Sequence, residues 1–261
     1  MTLENNQLIK QLQNGNIHGI IFDFDGTILD IRESLRNSVE EVYQEKKIIA
    51  DTDTTIQEIG ALMETIQSYP LPKILLESYE MFKYISSLQN ITYLKKLRIA
   101  IKIFSKYLTY AKDAPFYPDA YEFIKKYKKN FDFFIVSHNQ TKNILPHLEE
   151  QKVKSFFKGI YGADLIPALK PDPNSLSIVF KSYKSCKLSE FVMIGDMPSD
   201  IIAGNEAGVW TIAIASGVSN REILLEAKPS LLIDSFQELI NLIENKNITN
   251  SKNQKSVKIN P

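Results

Sequence analysis

His18-Gly19-Ile20-Ile21-Phe22-Asp23-Phe24-Asp25-Gly26-Thr27 is the stretch that decides the fold. An apolar run ends in two carboxylates at i and i+2, followed by a glycine turn. The run predicts a buried strand over residues 17–24. Side chains alternate across a strand, so Asp23 and Asp25 point the same way. Two such charges repel unless a cation, or a proton on one of them, relieves the pair. A phosphoryl-transfer site with bound Mg²⁺ offers both remedies. One carboxylate attacks phosphorus and ligates the metal, and the other carries the proton as general acid and base. An Asp-Gly turn after a strand is common for conformational reasons alone, so the motif gains its meaning from what lies downstream.

Working outward, 119–129, 174–183, 200–207 and 235–242 carry helical patterns. Strand patterns lie at 131–136, 159–161, 191–194, 209–215 and 231–233, and a short helix is expected over 3–12. Alternation of strand and helix predicts an α/β fold with a parallel sheet covered on both faces. Ligands in such folds sit at the carboxyl ends of the strands. From Ile31 to about Lys112 the pattern is helical, with few strand signals. That block reads as a helical insert after the first strand. Within it Leu94, Leu97, Ile101, Phe104, Leu108 and Ala111 recur at spacings of three and four, one apolar helix face. Lys95, Arg98, Lys102 and Lys106 form a basic face on the same helix, read first as solvated and second as a surface attracting an anion.

Three more features fall where a phosphate site on such a sheet needs them. Ser137 closes the strand at 131–136; its hydroxyl and nearby N–H groups suit a phosphoryl oxygen. Lys170 precedes Pro171-Asp172-Pro173 on a stiff segment, and its ammonium suits charge neutralisation. Gly195-Asp196-Met197-Pro198-Ser199-Asp200 follows the strand at 191–194. Asp196 is placed for Mg²⁺, which prefers oxygen ligands. Asp200 is placed to support it, or simply to cap the next helix.

In this order, Asp-x-Asp-Gly-Thr, Ser, Lys-Pro and Gly-Asp-x-x-x-Asp resemble the motifs of the haloacid dehalogenase superfamily. The closer resemblance is to the branch holding phosphoglycolate phosphatase and β-phosphoglucomutase, which carries a helical cap after the first motif. It extends from about His18 to the helix near Leu242. The resemblance implies a Rossmann-like core over 1–29 and 113–245 and an α-helical cap over 30–112. It implies a Mg²⁺-dependent phosphatase acting on a small phosphorylated metabolite through an aspartyl-phosphate. Asp23 would be nucleophile and metal ligand. Asp25 would be general acid and base, with its backbone carbonyl on the metal. Ser137 would bind the phosphoryl group, Lys170 would neutralise charge, and Asp196 with Asp200 would complete the metal site. Gly26 would allow the turn at which the cap opens. Gly26, Thr27, Ser137, His138, Asn139 and Lys170 make up the expected substrate-binding set. Arg32, Arg36, Tyr79, Lys83 and Tyr84 are candidate cap contacts.

Two positions depart from the family's pattern. His138 stands where relatives often have Asn, with Asn139 one residue later; a histidine there brings a group that titrates near neutrality. Ile31 replaces a serine that is common beside Asp30, which moves the chain away from the phosphoglycolate-specific pattern. A phosphomutase of the same superfamily, a phosphonate hydrolase using a cap lysine, and a catalytically idle phospho-ligand-binding protein are the alternatives. Metal-free dehalogenation sits badly with Asp25, Asp196 and Asp200.

Composition narrows the field further. The 261 residues hold 31 Lys+Arg against 31 Asp+Glu, so there is no basic excess to suit a nucleic-acid binder. Cys186 is the one cysteine, which excludes an internal disulfide and fits a reducing compartment. With no signal-like or membrane-spanning apolar run, the expectation is a cytoplasmic monomer or weak homodimer. Residues 246–261 are rich in Asn, Lys and Ser and read as a disordered tail.

Overall fold

The computed structural model describes residues 3–52, 54–56, 58, 85–89 and 91–245. The candidate contacts Tyr79, Lys83 and Tyr84, and the expected tail at 246–261, lie outside the described residues.

Six strands form one sheet in the order β3-β2-β1-β4-β5-β6, every neighbouring pair parallel. They are β1 (Gly19–Phe22), β2 (Asp132–Val136), β3 (Phe157–Tyr161), β4 (Phe191–Gly195), β5 (Trp210–Ile214) and β6 (Leu231–Ile233). All four residues of β1 are buried, the mark of a central parallel strand covered on both faces. Ile20 pairs with Phe133 and Val192, and Ile21 with Phe134 and Met193. The period of two then sends Ile20 and Phe22 into the larger core and Ile21, Phe134 and Met193 into the smaller one.

Helices α1 (Leu3–Gln13), α4 (Pro118–Tyr127), α5 (Thr141–Glu150), α6 (Ser177–Phe180), α7 (Pro198–Ala207), α8 (Arg221–Glu226) and α9 (Phe236–Glu244) accompany the sheet. Helix α5 is absent from the pattern reading: Pro146 lies in its interior, where it removes an i→i−4 donor and interrupts the helical signal. The helix expected over 174–183 is shorter, a 3₁₀ turn at Pro173–Leu176 running into α6.

Helices α2 (Arg32–Lys46) and α3 (Tyr93–Tyr110) lie between β1 and β2 in the chain. They share a hydrophobic cluster of their own: Val39, Val42 and Tyr43 of α2 meet Ile99 and Ile103 of α3, with Ile85 and Leu88. The apolar stripe expected on α3 is corrected here. Leu94, Ile101 and Phe104 are 65%, 60% and 57% exposed, while Ile99 and Ile103 are buried. Both edges of the helix are apolar, and polar partners choose between them. Lys102 pairs with Glu45, Lys106 with Glu41, and the Tyr110 hydroxyl donates to Glu41 at 2.7 Å. These three residues flank Ile99 and Ile103 at helical spacing and turn that edge to α2. Half of the expected basic face is therefore tied to α2, while Lys95 and Arg98 remain exposed.

Candidate active site

The sheet order reverses between β1 and β4. A crevice opens at the carboxyl ends of the strands on either side of such a switch point. Asp23 follows β1 directly, its N–H donating to the Ile194 carbonyl of β4 at 2.9 Å. Ser137 follows β2 and Asp196 follows β4, so three chain segments deliver polar groups to one edge.

Lys170 links them. It is 1% exposed, and its Nζ donates to Asp23 Oδ1 at 2.6 Å and to Asp200 Oδ1. The Asp200 Oδ2 accepts the Met197 N–H at 3.0 Å, closing the first turn of α7 behind Pro198. Both readings of Asp200, helix cap and site support, hold at once. Asp196 is fully buried: Oδ1 accepts from the Thr27 hydroxyl at 2.8 Å and Oδ2 from the Val218 N–H at 2.9 Å. Gly26 has φ +87°, and a Cβ there would collide with the Asp196 carboxylate; the turn requires glycine for conformation and for space.

Asp25 stands on the open side. Its carboxylate accepts from Asn139 Nδ2 at 3.0 Å, and the Asn139 N–H donates to Ser137 Oγ at 3.1 Å. Burial pushes the Asp25 carboxyl up to about 6, against the lowering effect of Asn139 and Lys170. Burial likewise raises Asp196 to about 7, with Asp200 adding to it, and Asp23 well above the usual range despite Lys170. A carboxyl poised near neutral pH suits proton transfer.

Asp23, Asp25, Ser137, His138, Asn139, Lys170 and Asp200 line one cavity of about 240 Å³ with residues of α2 and α3. Three expectations change. Gly26 does not line the cavity and serves the turn instead. Thr27 is not in the cavity: its side chain is wholly buried and its hydroxyl is spent on Asp196, so it positions that carboxylate. His138 lines the cavity but does not titrate near neutrality. Desolvation and the Lys170 ammonium push its imidazole down to about 3, and its buried Nε2 has no hydrogen-bond partner. It is a neutral wall.

The candidate cap contact Arg32 is committed elsewhere. It grips Asp30 through Nε at 2.9 Å and Nη2 at 2.6 Å, with its guanidinium over the Tyr117 ring. Arg36 lies 3.7 Å from Glu40. Among the described residues, those that do reach the cavity from this side are Ile31, Leu35, Phe104, Tyr107 and Leu108. Sequence reasoning placed Phe104 and Leu108 on a packed face and passed over Tyr107; the 3-4 spacing of Phe104, Tyr107 and Leu108 was the available signal.

One ligand oxygen from each of Asp23, Asp196 and Asp200 lies within 4.8 Å of the others, all three residues buried. Among the described residues a single buried ammonium faces these three carboxylates, and burial first, then their mutual repulsion, raises Asp23 and Asp196. A hard divalent cation fits such an all-oxygen set.

A phosphoglycolate phosphatase of Pseudomonas fluorescens is 32% identical over 125 residues, which cover 48% of this chain and 46% of that one. The chain thus spans about half the length of that relative. A phosphoglycolate phosphatase of Salmonella typhi is 25% identical over 232 residues, covering 86% and 92%. Among solved structures, a haloacid dehalogenase-like family protein of Streptococcus pneumoniae superposes with a TM-score of 0.63 at 17% identity, covering 87% of this chain and 98% of that one. A hydrolase of Pseudomonas syringae does so at 0.60 and 21%, covering 86% and 96%. The sequence pattern of the haloacid dehalogenase-like hydrolases matches residues 20–214. With that match laid over the switch-point carboxylates and Lys170, the chain belongs to the haloacid dehalogenase-like hydrolase family.

Proposed function

We propose that the protein is a Mg²⁺-dependent phosphatase that hydrolyses a small phosphomonoester through an aspartyl-phosphate on Asp23. The observation that supports it most is the division of labour between the two carboxylates of the first motif. Asp23 is held by Lys170, while Asp25 faces the cavity with a carboxyl poised near pH 6.

Asp23 attacks phosphorus with the oxygen that Lys170 leaves open. The bond to the leaving oxygen breaks, and that oxygen takes the Asp25 proton. Asp25, now ionised, accepts a proton from water as the water attacks the aspartyl-phosphate. The Asp23–phosphorus bond breaks, inorganic phosphate is released, and both carboxylates return to their starting states. Ser137 and the neighbouring N–H groups hold phosphoryl oxygens, and Lys170 offsets charge on Asp23 and the transferring group. Asp23, Asp196 and the Asp25 backbone carbonyl would hold Mg²⁺, which supplies neutralisation of phosphate charge when bound. Asp200 completes that acidic set and also acts through Lys170 and the α7 turn, its Oδ1 accepting from Lys170 and its Oδ2 from the Met197 N–H. The unit of α2 and α3 serves as the cap, closing the cavity against water.

Phosphate release from a panel of phosphorylated metabolites, with Mg²⁺ and with EDTA, tests this reading. Wild type is expected to release phosphate only with Mg²⁺, and Asp23→Asn to release none. Acid quenching during turnover should trap label on Asp23. Wild-type-like turnover in Asp23→Asn would falsify the mechanism; movement of phosphate between positions of a sugar with none released would make it a mutase.

A further inference from the structure

Asp196 is gripped at both oxygens by segments far apart in the chain. Oδ1 accepts from the Thr27 hydroxyl, in the turn after β1, and Oδ2 accepts from the Val218 N–H, in the loop after β5. Each oxygen keeps a further lone pair for a cation. The carboxylate sits between its two grips with little slack: a Cβ at Gly26 on one side, or at Gly217 on the other, would collide with Oδ2. Its orientation therefore depends on the separation of the two grips.

Tyr117 joins them. Its N–H donates to the Ile28 carbonyl at 2.9 Å, one residue beyond Thr27. Its hydroxyl donates to the Ser216 carbonyl at 2.8 Å, two residues before Val218. Tyr117 is itself buried and anchored. Its carbonyl accepts the Tyr121 N–H at 3.0 Å in the first turn of α4, and the Arg32 guanidinium lies 5.0 Å from its ring centroid. Burial first, then the Asp30 carboxylate, hold its phenol well above the usual range, so the hydroxyl remains a donor. The Asp30 N–H donates to the Pro115 carbonyl at 2.8 Å, so the two chain segments that lead to and from α2 and α3 are paired beside this tyrosine.

We propose that Tyr117 is a positioning residue for Asp196: it fixes the 216–218 loop against the turn after β1, so that Asp196 meets Mg²⁺ in one orientation. This rests on the Mg²⁺-dependent reading above and adds the residue that holds the ligand in place. Mg²⁺ demands near-octahedral oxygens at about 2.0–2.1 Å, whereas Ca²⁺ accepts varied geometry at about 2.3–2.6 Å. A loosened Asp196 therefore costs Mg²⁺ more than it costs Ca²⁺, which separates a loss of orientation from a general loss of structure or charge.

Tyr117→Phe keeps the ring and the N–H and removes the hydroxyl alone. Calorimetric titration of the resting protein with Mg²⁺ and, separately, with Ca²⁺ tests its role without turnover. Mg²⁺ affinity is expected to fall about three- to tenfold, less than the roughly 10–100-fold typical when a direct partner of a metal ligand is lost. Ca²⁺ affinity should fall by a smaller factor. In turnover, the Mg²⁺ concentration for half-activation should rise, while kcat at saturating Mg²⁺ and KM for the phosphate ester stay at their wild-type values. Tyr127→Phe is the control: it lies on the same helix, and among the described residues its buried hydroxyl has no hydrogen-bond partner. It is expected to bind both ions as wild type does. Wild-type Mg²⁺ affinity in Tyr117→Phe, equal losses for the two ions, or the same loss in Tyr127→Phe overturns the inference and leaves the phosphatase reading standing. Wild type that takes up no Mg²⁺ and releases phosphate in EDTA overturns both.

Discussion

Asp25 shows how much a single neighbour can decide. Burial raises its carboxyl, and the Asn139 amide, by bonding to the charged form, restrains the rise to about 6. Asn139→Leu removes the restraint, so Asp25 should hold its proton to higher pH. Where protonation of the leaving oxygen limits the rate, activity falls as pH rises through this pKa. The falling limb of kcat/KM against pH is therefore expected to move to higher pH in Asn139→Leu, and a limb that stays in place would separate Asp25 from the acid role. His138 was the residue expected to bring a near-neutral titration. Its ring sits at the strand end beside Lys170, where desolvation and like charge both favour the neutral form. Its identity was legible in the sequence, but its environment was not, because Lys170 reaches it from 32 positions along the chain.

At the scale of elements, the carboxyl ends of β1, β2 and β4 carried their own labels. An apolar run followed by Asp, Ser or Gly-Asp is a local pattern, and strand-end loops are where such sheets bind ligands. Helix α3 carried no equivalent label. Two apolar edges compete on it, and only its pairing with Glu41 and Glu45 of α2 decides which is buried. That choice depends on residues some sixty positions apart, beyond the reach of any periodicity. The orientation can be checked by paired truncations in chemical denaturation. Ile99→Ala, in the buried cluster, should cost about 2–5 kcal/mol. Ile101→Ala, two residues on but exposed, should stay within about 0.5 kcal/mol. Equal costs at the two positions would mean that α3 is rotated.

The whole molecule has no net charge, yet it concentrates anionic groups at one point. Asp23, Asp25 and Asp196 all have carboxyl groups raised above their unfolded values. With raised pKa values the folded state retains protons that the unfolded state has released. Their contribution to stability is therefore greatest at low pH and is lost as pH rises from about 4 towards 7. Metal-free protein should show this contribution as a fall in Tm between pH 6 and pH 8. Saturating Mg²⁺ should raise Tm more at pH 8 than at pH 6, since a bound cation replaces those protons. A Mg²⁺-induced shift of the same size at both pH values would argue that the ion binds elsewhere. Asp23→Asn, which relieves the crowding, should melt higher than wild type without metal.

The central position of β1 has a consequence for the life of the chain on the ribosome. The strand emerges first among the six, wholly apolar, and its two neighbours are supplied by residues 132–135 and 191–194. Thr27 waits 169 positions for the carboxylate it holds. At about 5–20 residues per second, this apolar segment keeps at least one edge unpaired for roughly ten to thirty seconds. Helices α2 and α3 have local partners and can collapse in that interval, leaving the nascent β1 as the segment that a holding chaperone would be expected to grip.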